Sequence, residues 1–222
     1  EKILKKSVLG LSVANFKKIV NESGALILDV RSVDEFANVH IPGSIFIGLD
    51  GSFAPWVGEL IKDIYHPIVL ICPLGREKEA VTRLSRLGFD NTKGYLNGGI
   101  EAWMDYGNEI DKVFSINRFE FEKLYTEETP KIFDVRDENE FNSEHIIGSY
   151  NIPLNILNKN LAKFKNKKMN YLHCAGGYRS MIASSILKAR GIHNFIDIKG
   201  GYSSLSKSSL ISRTKNVCQL KK

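Results

Sequence analysis

A cysteine does covalent chemistry as a thiolate, so the first residues of interest are those that lower the cost of that charge. Tyr171-Leu172-His173-Cys174-Ala175-Gly176-Gly177-Tyr178-Arg179-Ser180-Met181-Ile182-Ala183 reads as a buried strand ending at a thiol, then a glycine-containing loop, then an amphipathic helix to about Arg190. A sulfur at such a turn lies among backbone N–H groups and at the positive end of a helix dipole. Both favour thiolate over thiol, and anions over neutral ligands. The competing reading is a small core residue at a strand end, since free cysteine is among the most buried residue types. The flanking glycines and the following helix favour the reactive reading.

Few other residues compete for chemistry. The cysteines Cys72, Cys174 and Cys218 are too few and too scattered for a disulfide framework or a zinc site. They suit a reducing cytoplasm. His40, His66, His145, His173 and His193 show no H-x-H or H-E-x-x-H spacing, so no metal is expected. His173, directly before the thiol, is expected on the opposite side of its strand by alternation. Asp134 and Arg136 read as structural, a strand-end carboxylate bracing the loop and a partner for Glu140. His145 reads first as a turn-packing residue; its pKa range keeps an acid–base role open.

The elements that must position the thiol are legible. At 222 residues the chain suits one large domain or two of about 100. Its apolar and charged fractions, 43% and 25%, are those of a globular protein. No run of about 18 apolar residues exists to span a membrane. There is also no basic-then-apolar leader with a cleavage site. Glu1 in place of a methionine leads to the expectation of a processed or excised piece of something longer.

The net charge of +6 hides an asymmetry: Leu157 to Lys222 carries 14 Lys/Arg against one acid, Asp197. The preceding residues carry 17 basic and 24 acidic side chains, a net of −7. The field around Cys174 is therefore expected to draw small anions or anionic thiols. Nucleic acid is the rival partner for a basic stretch, and it is disfavoured because the lysines lack aromatic interleaving or a known module.

An internal duplication sets the architecture. Leu26 to Arg31, Glu35-Phe36, His40-Ile41 and Gly43-Ser44 return at a constant offset of 105 as Lys131 to Arg136, Glu140-Phe141, His145-Ile146 and Gly148-Ser149. Pro67 to Cys72 and Met169 to Cys174 read as strands, Glu77 to Leu87 and Arg179 to Arg190 as helices. Leu11 to Glu22 reads as a helix, and Ser32 with Glu35 as a capping box opening a helix toward Asn38. Strands alternating with helices at this spacing give an α/β fold around a mostly parallel sheet in each copy. Ligands in such sheets bind beyond the carboxyl ends of the strands, where Cys72 and Cys174 both lie. The boundary falls at Tyr106 to Lys112, giving domains 1–110 and 111–222. The Ser/Lys-rich sequence after Tyr202 is expected to be peripheral and partly mobile, with Cys218 an exposed thiol.

With these marks the chain resembles two rhodanese modules in tandem. The marks are the repeated Asp-Val-Arg, the Glu-Phe pair and the His-Ile-x-Gly-Ser turn, with Cys174 to Ser180 similar to the family's sulfur-carrying loop. The resemblance implies an α/β fold of two rhodanese-like domains, each a small mostly parallel sheet flanked by helices. A finer likeness lies in Gly51 to Gly58 and Gly75 to Val81, which are similar to proteins in which a metallo-β-lactamase-fold domain, often a persulfide dioxygenase, precedes two rhodanese modules. It implies such a domain as a partner, fused or separate; the histidine motif of that domain is absent here.

The resemblance also implies a sulfurtransferase. Cys174 would take sulfane sulfur from thiosulfate or a small persulfide and pass it to a thiol or cyanide, through a covalent persulfide and without a cofactor. The N–H groups of Ala175, Gly176, Gly177, Tyr178, Arg179 and Ser180 would hold the anionic sulfur. Tyr178 would line the mouth, and Arg179 would shape the loop and add charge. Cys72 is followed by three residues before Arg76, whereas Cys174 is followed by four before Arg179. Pro73 removes an N–H, so the first module reads as inactive and Cys72 as a core thiol. A cysteine-phosphatase loop resembles a Cys, five residues and an Arg; the Cys174 loop is one residue shorter. A non-enzymatic interaction module stays open as a different class of function.

Overall fold

The computed structural model describes residues 8–165 and 167–214, and Cys218 lies outside them. The chain divides into Glu1–Lys112 and Val113–Lys222. In the first unit the order is β1 (Gly10–Leu11), α1 (Val13–Ser23), β2 (Leu26–Asp29), α2 (Val33–Asn38), β3 (Ile45–Phe46), α3 (Phe53–Leu60), β4 (Ile68–Ile71), α4 (Glu77–Arg86), β5 (Thr92–Leu96) and α5 (Gly99–Asp105). In the second it is β6 (Ser115–Ile116), α6 (Arg118–Glu127), β7 (Lys131–Asp134), α7 (Glu138–Ser143), β8 (Tyr150–Asn151), two 3-10 turns (Leu154–Lys159 and Leu161–Phe164), β9 (Asn170–His173), α8 (Tyr178–Ala189), β10 (Phe195–Ile198) and α9 (Gly201–Leu205).

Each unit holds one five-stranded sheet, ordered β1-β5-β4-β2-β3 and β6-β10-β9-β7-β8, with every pairing parallel. Parallel strands are covered on both faces, which is why β4 is apolar and buried at all four positions. Alternation divides the strand residues between two cores. Leu28 and Leu70 meet Phe53, Val57, Ala80 and Leu84 from α3 and α4. Ile27, Val69 and Ile71 meet Phe16 of α1 and Ile100 and Trp103 of α5. In the second unit Ile132, Tyr171 and Ile198 meet Phe121 of α6 and Leu205 of α9.

The duplicated motif forms the same bracket twice. Arg31 grips Asp29 and donates to the Val39 carbonyl at 2.7 Å; Arg136 grips Asp134 and donates to the Glu144 carbonyl at 2.8 Å. His40 stacks on Phe36 at 4.0 Å and His145 on Phe141 at 3.9 Å, each ring Nδ1 lying 2.8 Å from the carbonyl four residues back. Capping boxes open α2 at Ser32–Glu35 and α7 at Asp137–Glu140. Each satisfies helix-end N–H groups that would otherwise be orphaned, about 1 kcal/mol per cap.

Two expectations change. Leu11 belongs to β1, not to the first helix, because Ser12 caps α1 through a bond to the Asn15 N–H. The segment after Tyr202 is packed as far as it is described. Leu205 and Ile211 are in the core, and Arg213 bridges to Ile146. The apolar side chains at 205, 210 and 211 interrupt the Ser/Lys composition, and two of the three find the core.

Candidate active site

Cys174 follows the last residue of β9, and α8 begins four residues later. Gly177 is the N-cap of α8 at φ 108°, a conformation that a side chain at that position would strain. That geometry turns its N–H onto the sulfur: Gly177 N donates to Cys174 Sγ at 3.1 Å. The loop is held from below by α9. Tyr202 N donates to the Cys174 carbonyl at 2.7 Å and Ser203 N to the Ala175 carbonyl at 2.9 Å. This approach requires Gly201, where a Cβ would collide with the Cys174 carbonyl oxygen.

Of the expected ring of amides, the Gly177 N–H points at the sulfur within hydrogen-bond distance. The sulfur is also enclosed, Cys174 being 1% exposed. Ala175 and Tyr178 are half-buried, Gly176 is exposed, and Gly177 and Ser180 are buried. The core reading accounts for the enclosure; it does not account for the N–H aimed at Sγ.

Arg179 does not offer a free charge. Its guanidinium grips Glu140 of α7 at 2.5 and 2.8 Å and lies 3.9 Å from Asp137. Arg179 holds the Glu140 carboxyl down to about 2, and Glu140 in turn raises Arg179. This corrects the assignment of Arg136 as the partner of Glu140: Arg136 is bidentate to Asp134 and its ring neighbour is Tyr202, 4.1 Å away. The swap follows from chain geometry, since Arg136 folds back two residues onto a carboxylate that β7 buries completely. Arg179, on the first turn of a separate helix, is what reaches Glu140.

His173 lies on the strand face away from Cys174. Its Nδ1 is 3.2 Å from the Cys174 carbonyl, and its Nε2 is 3.8 Å from Asp134 Oδ2 without a hydrogen bond. Burial pushes its pKa down, against the pull of Asp134. His145 is engaged with the Phe141 carbonyl and the Thr214 hydroxyl, at 2.8 and 3.1 Å. The bracket residues Asp134 and Arg136 therefore reach the site through His173 and the Cys174 backbone, and His145 packs the turn.

Cys72 occupies the matching place after β4 and is 8% exposed. Burial drives its thiol well above the ordinary range, and Glu77 and Asp29 add to this. Sequence reasoning missed Asp197. Its carboxyl is 2% exposed and lies on the same sheet face as Cys174, since β10 registers Asp197 against Leu172. The available signal was that Asp197 is the one acid after Leu157.

The chain is an α/β protein in which a parallel five-stranded sheet is repeated, each copy with a cysteine loop at the carboxyl edge of its sheet. The sequence pattern described as "Rhodanese-like domain" matches residues 12–106 and 119–208, and the chain belongs to that family. Over 85 residues it is 31% identical to a thiosulfate sulfurtransferase, GlpE, of Pseudomonas savastanoi pv. phaseolicola, spanning 38% of this chain and 76% of that one. Over 72 residues it is 36% identical to the uncharacterized protein YqhL of Bacillus subtilis, spanning 32% and 57%. Over 111 residues it is 30% identical to the adenylyltransferase and sulfurtransferase MOCS3 of Drosophila grimshawi, spanning 48% and 24%. The chain thus spans little more than half of YqhL and a quarter of MOCS3. Among solved structures, a rhodanese-like domain protein of Staphylococcus aureus is 31% identical, with a TM-score of 0.40 over 42% of this chain and 91% of that one. No helix among the described residues is long and apolar enough to cross a membrane.

Proposed function

We propose that the second module is a sulfurtransferase working through Cys174. The Cys174 thiolate attacks the outer sulfur of thiosulfate or a small persulfide. A new S–S bond forms, and sulfite or the donor thiolate leaves with the electron pair of the old one. An acceptor thiolate or cyanide then attacks the terminal sulfur and restores the Cys174 thiolate. No cofactor is needed. The observation that carries this reading is the Gly177 N–H on Sγ, a donor placed where negative charge develops. Arg179, neutralised by Glu140, holds the loop instead of binding the donor. The first module, with Cys72 as a core thiol, is a scaffold. A metallo-β-lactamase-fold domain is the partner we propose as persulfide handler, on the sequence likeness of residues 51–58 and 75–81.

Mass spectrometry of the intact chain after thiosulfate, or after a small persulfide, tests the scheme. One added sulfur atom is expected in the wild type and in Cys72→Ser, and none in Cys174→Ser. The enclosure of Cys174 favours a second reading, a binding module. No adduct from any donor establishes that reading, and turnover of an aryl phosphate would replace both with a phosphatase.

A further inference from the structure

Asp197 is a buried carboxyl that the scheme above leaves unused. Burial of an acid is costly unless its oxygens are bonded, and Asp197 Oδ1 has no hydrogen-bond partner. In register with Leu172, it lies one strand across from Cys174 and two residues short of it, about 8 Å between Cα atoms from strand spacing. Each packed element brings a group to it. β6 brings Ser115, its register partner, and the first turn of α8 brings the Ser180 hydroxyl. β9 brings Leu172 and, further along, the Cys174 thiol. Lys199, two residues on in its own chain, is the charged group acting on it.

Ser180 joins this carboxyl to the sulfur loop. Its Oγ donates to the Gly177 carbonyl at 3.1 Å, and the Gly177 N–H is the group on Cys174 Sγ. A hydroxyl has one proton, so it serves one acceptor at a time. We propose that Asp197 is a positioning residue for the Cys174 loop, acting through Ser180 as a proton-dependent relay. As the neutral acid it donates to Ser180 Oγ and leaves the serine proton on the Gly177 carbonyl. As the carboxylate it draws the serine proton to itself, and the Gly177 carbonyl keeps only the Met181 N–H at 3.1 Å. The loop amide then loses its hold on the sulfur, and a second negative charge faces the thiolate. Both changes disfavour the thiolate. Burial pushes Asp197 up to about 7 against the pull of Ser180, Lys199 and Ser115, so the relay would switch near neutral pH.

The regulation presupposes Cys174 as the working sulfur, but its test does not need sulfur transfer. Iodoacetamide alkylation of the full chain is followed at the Cys174 peptide by mass spectrometry across pH. In the wild type, a step in the rate is expected near the Asp197 titration. Asp197→Asn, which keeps a donor and cannot ionise, is expected to abolish the step. It should match the wild type a pH unit below the titration and exceed it about tenfold a pH unit above, the worth of one charge-assisted hydrogen bond. Ser180→Ala should shrink the step to the part carried by the Asp197 charge alone. A step that persists in Asp197→Asn, or at full size in Ser180→Ala, overturns the relay. Should Asp197→Asn fail to fold, carboxyl NMR of the wild type decides: a midpoint near 7 is expected, and one in the ordinary carboxylate range overturns it. A chain that shows the step yet takes up no sulfur breaks only the functional reading.

Discussion

The two cysteine loops use one amide differently. In the second module the Gly177 N–H donates to the Cys174 sulfur at 3.1 Å. In the first the corresponding loop amide, Gly75 N–H, donates at 3.0 Å to the Glu77 carboxylate. Pro73 contributes no N–H at all. The loop arginines diverge as well. Arg179 reaches 39 residues back to Glu140, whereas Arg76 is taken up by Glu79 on its own helix and by Asp50. Under the sheet, the place of Asp197 is filled in the first module by Tyr95, as the pairings Asp197↔Ser115 and Gly10↔Tyr95 align them. The brackets below the two loops share the same contacts, with Nε to Oδ2 at 3.2 Å in one and 2.9 Å in the other, so the brackets alone do not separate the two thiols. At Cys72 burial acts first, and the carboxylates of Glu77 and Asp29 add to it, whereas at Cys174 a loop amide is turned onto the sulfur.

The largest expected effect probes the glycines under the two loops. Gly201→Ala would drive a Cβ into the Cys174 carbonyl oxygen and to 2.9 Å from the Ala175 carbonyl carbon. Backbone must move, at about 3 kcal/mol or more. The equivalent Gly99→Ala meets only the Glu101 carboxylate oxygen at 3.1 Å, the end of a flexible side chain. It should cost about 1 kcal/mol, the left-handed backbone alone. Urea unfolding of the two variants measures the contrast. Equal costs would mean that the α9–loop contact is not tight.

Next in size is a variant that moves the first loop toward the second. Glu77→Gln removes the charged acceptor of the Gly75 N–H and one of the two acids holding the Cys72 thiol up. A lower thiol pKa means more thiolate at fixed pH, so alkylation at the Cys72 peptide should rise about tenfold, the effect of removing one nearby negative charge. An unchanged rate would assign Cys72's inertness to burial alone.

Much of this comparison was written in the sequence. The offset of 105 aligned the two bracket segments, Ser32 with Glu35 marked a capping box, and the strand–loop–helix order was readable around each cysteine. Loop length and Pro73 mark the two cysteine loops as different in the sequence itself. Three things were not legible. Short edge strands such as β1 carry two residues, too few for a period, so Leu11 read as helix. The partner of Glu140 was misassigned because Arg136 and Arg179 are equally basic on paper, and only the reach of α8 distinguishes them. Asp197 was counted but not placed, because a strand of four residues does not show which neighbour its charge will meet.

The smallest effect tests whether the Glu140–Arg179 grip is a difference between modules or only a cap. Glu140 sits at about 2 when folded against 4.5 ordinarily, chiefly through the Arg179 hydrogen bond. Between those values the unfolded chain binds more protons. The grip's stabilisation is therefore complete above about 4.5 and is lost as pH falls through about 2. The Glu140 side chain is 33% exposed, so screening reduces the contribution to about 1 kcal/mol. In the first module burial raises Glu35, and the Ser32 hydroxyl and amide bring it below the ordinary value. Its cap is local, bonded within the α2 turn. Glu140→Gln should then lower the urea midpoint at neutral pH by more than Glu35→Gln does, and the excess should vanish near pH 2. Equal shifts at neutral pH would reduce Glu140 to a capping residue, and Arg179 would no longer tie the sulfur loop to α7.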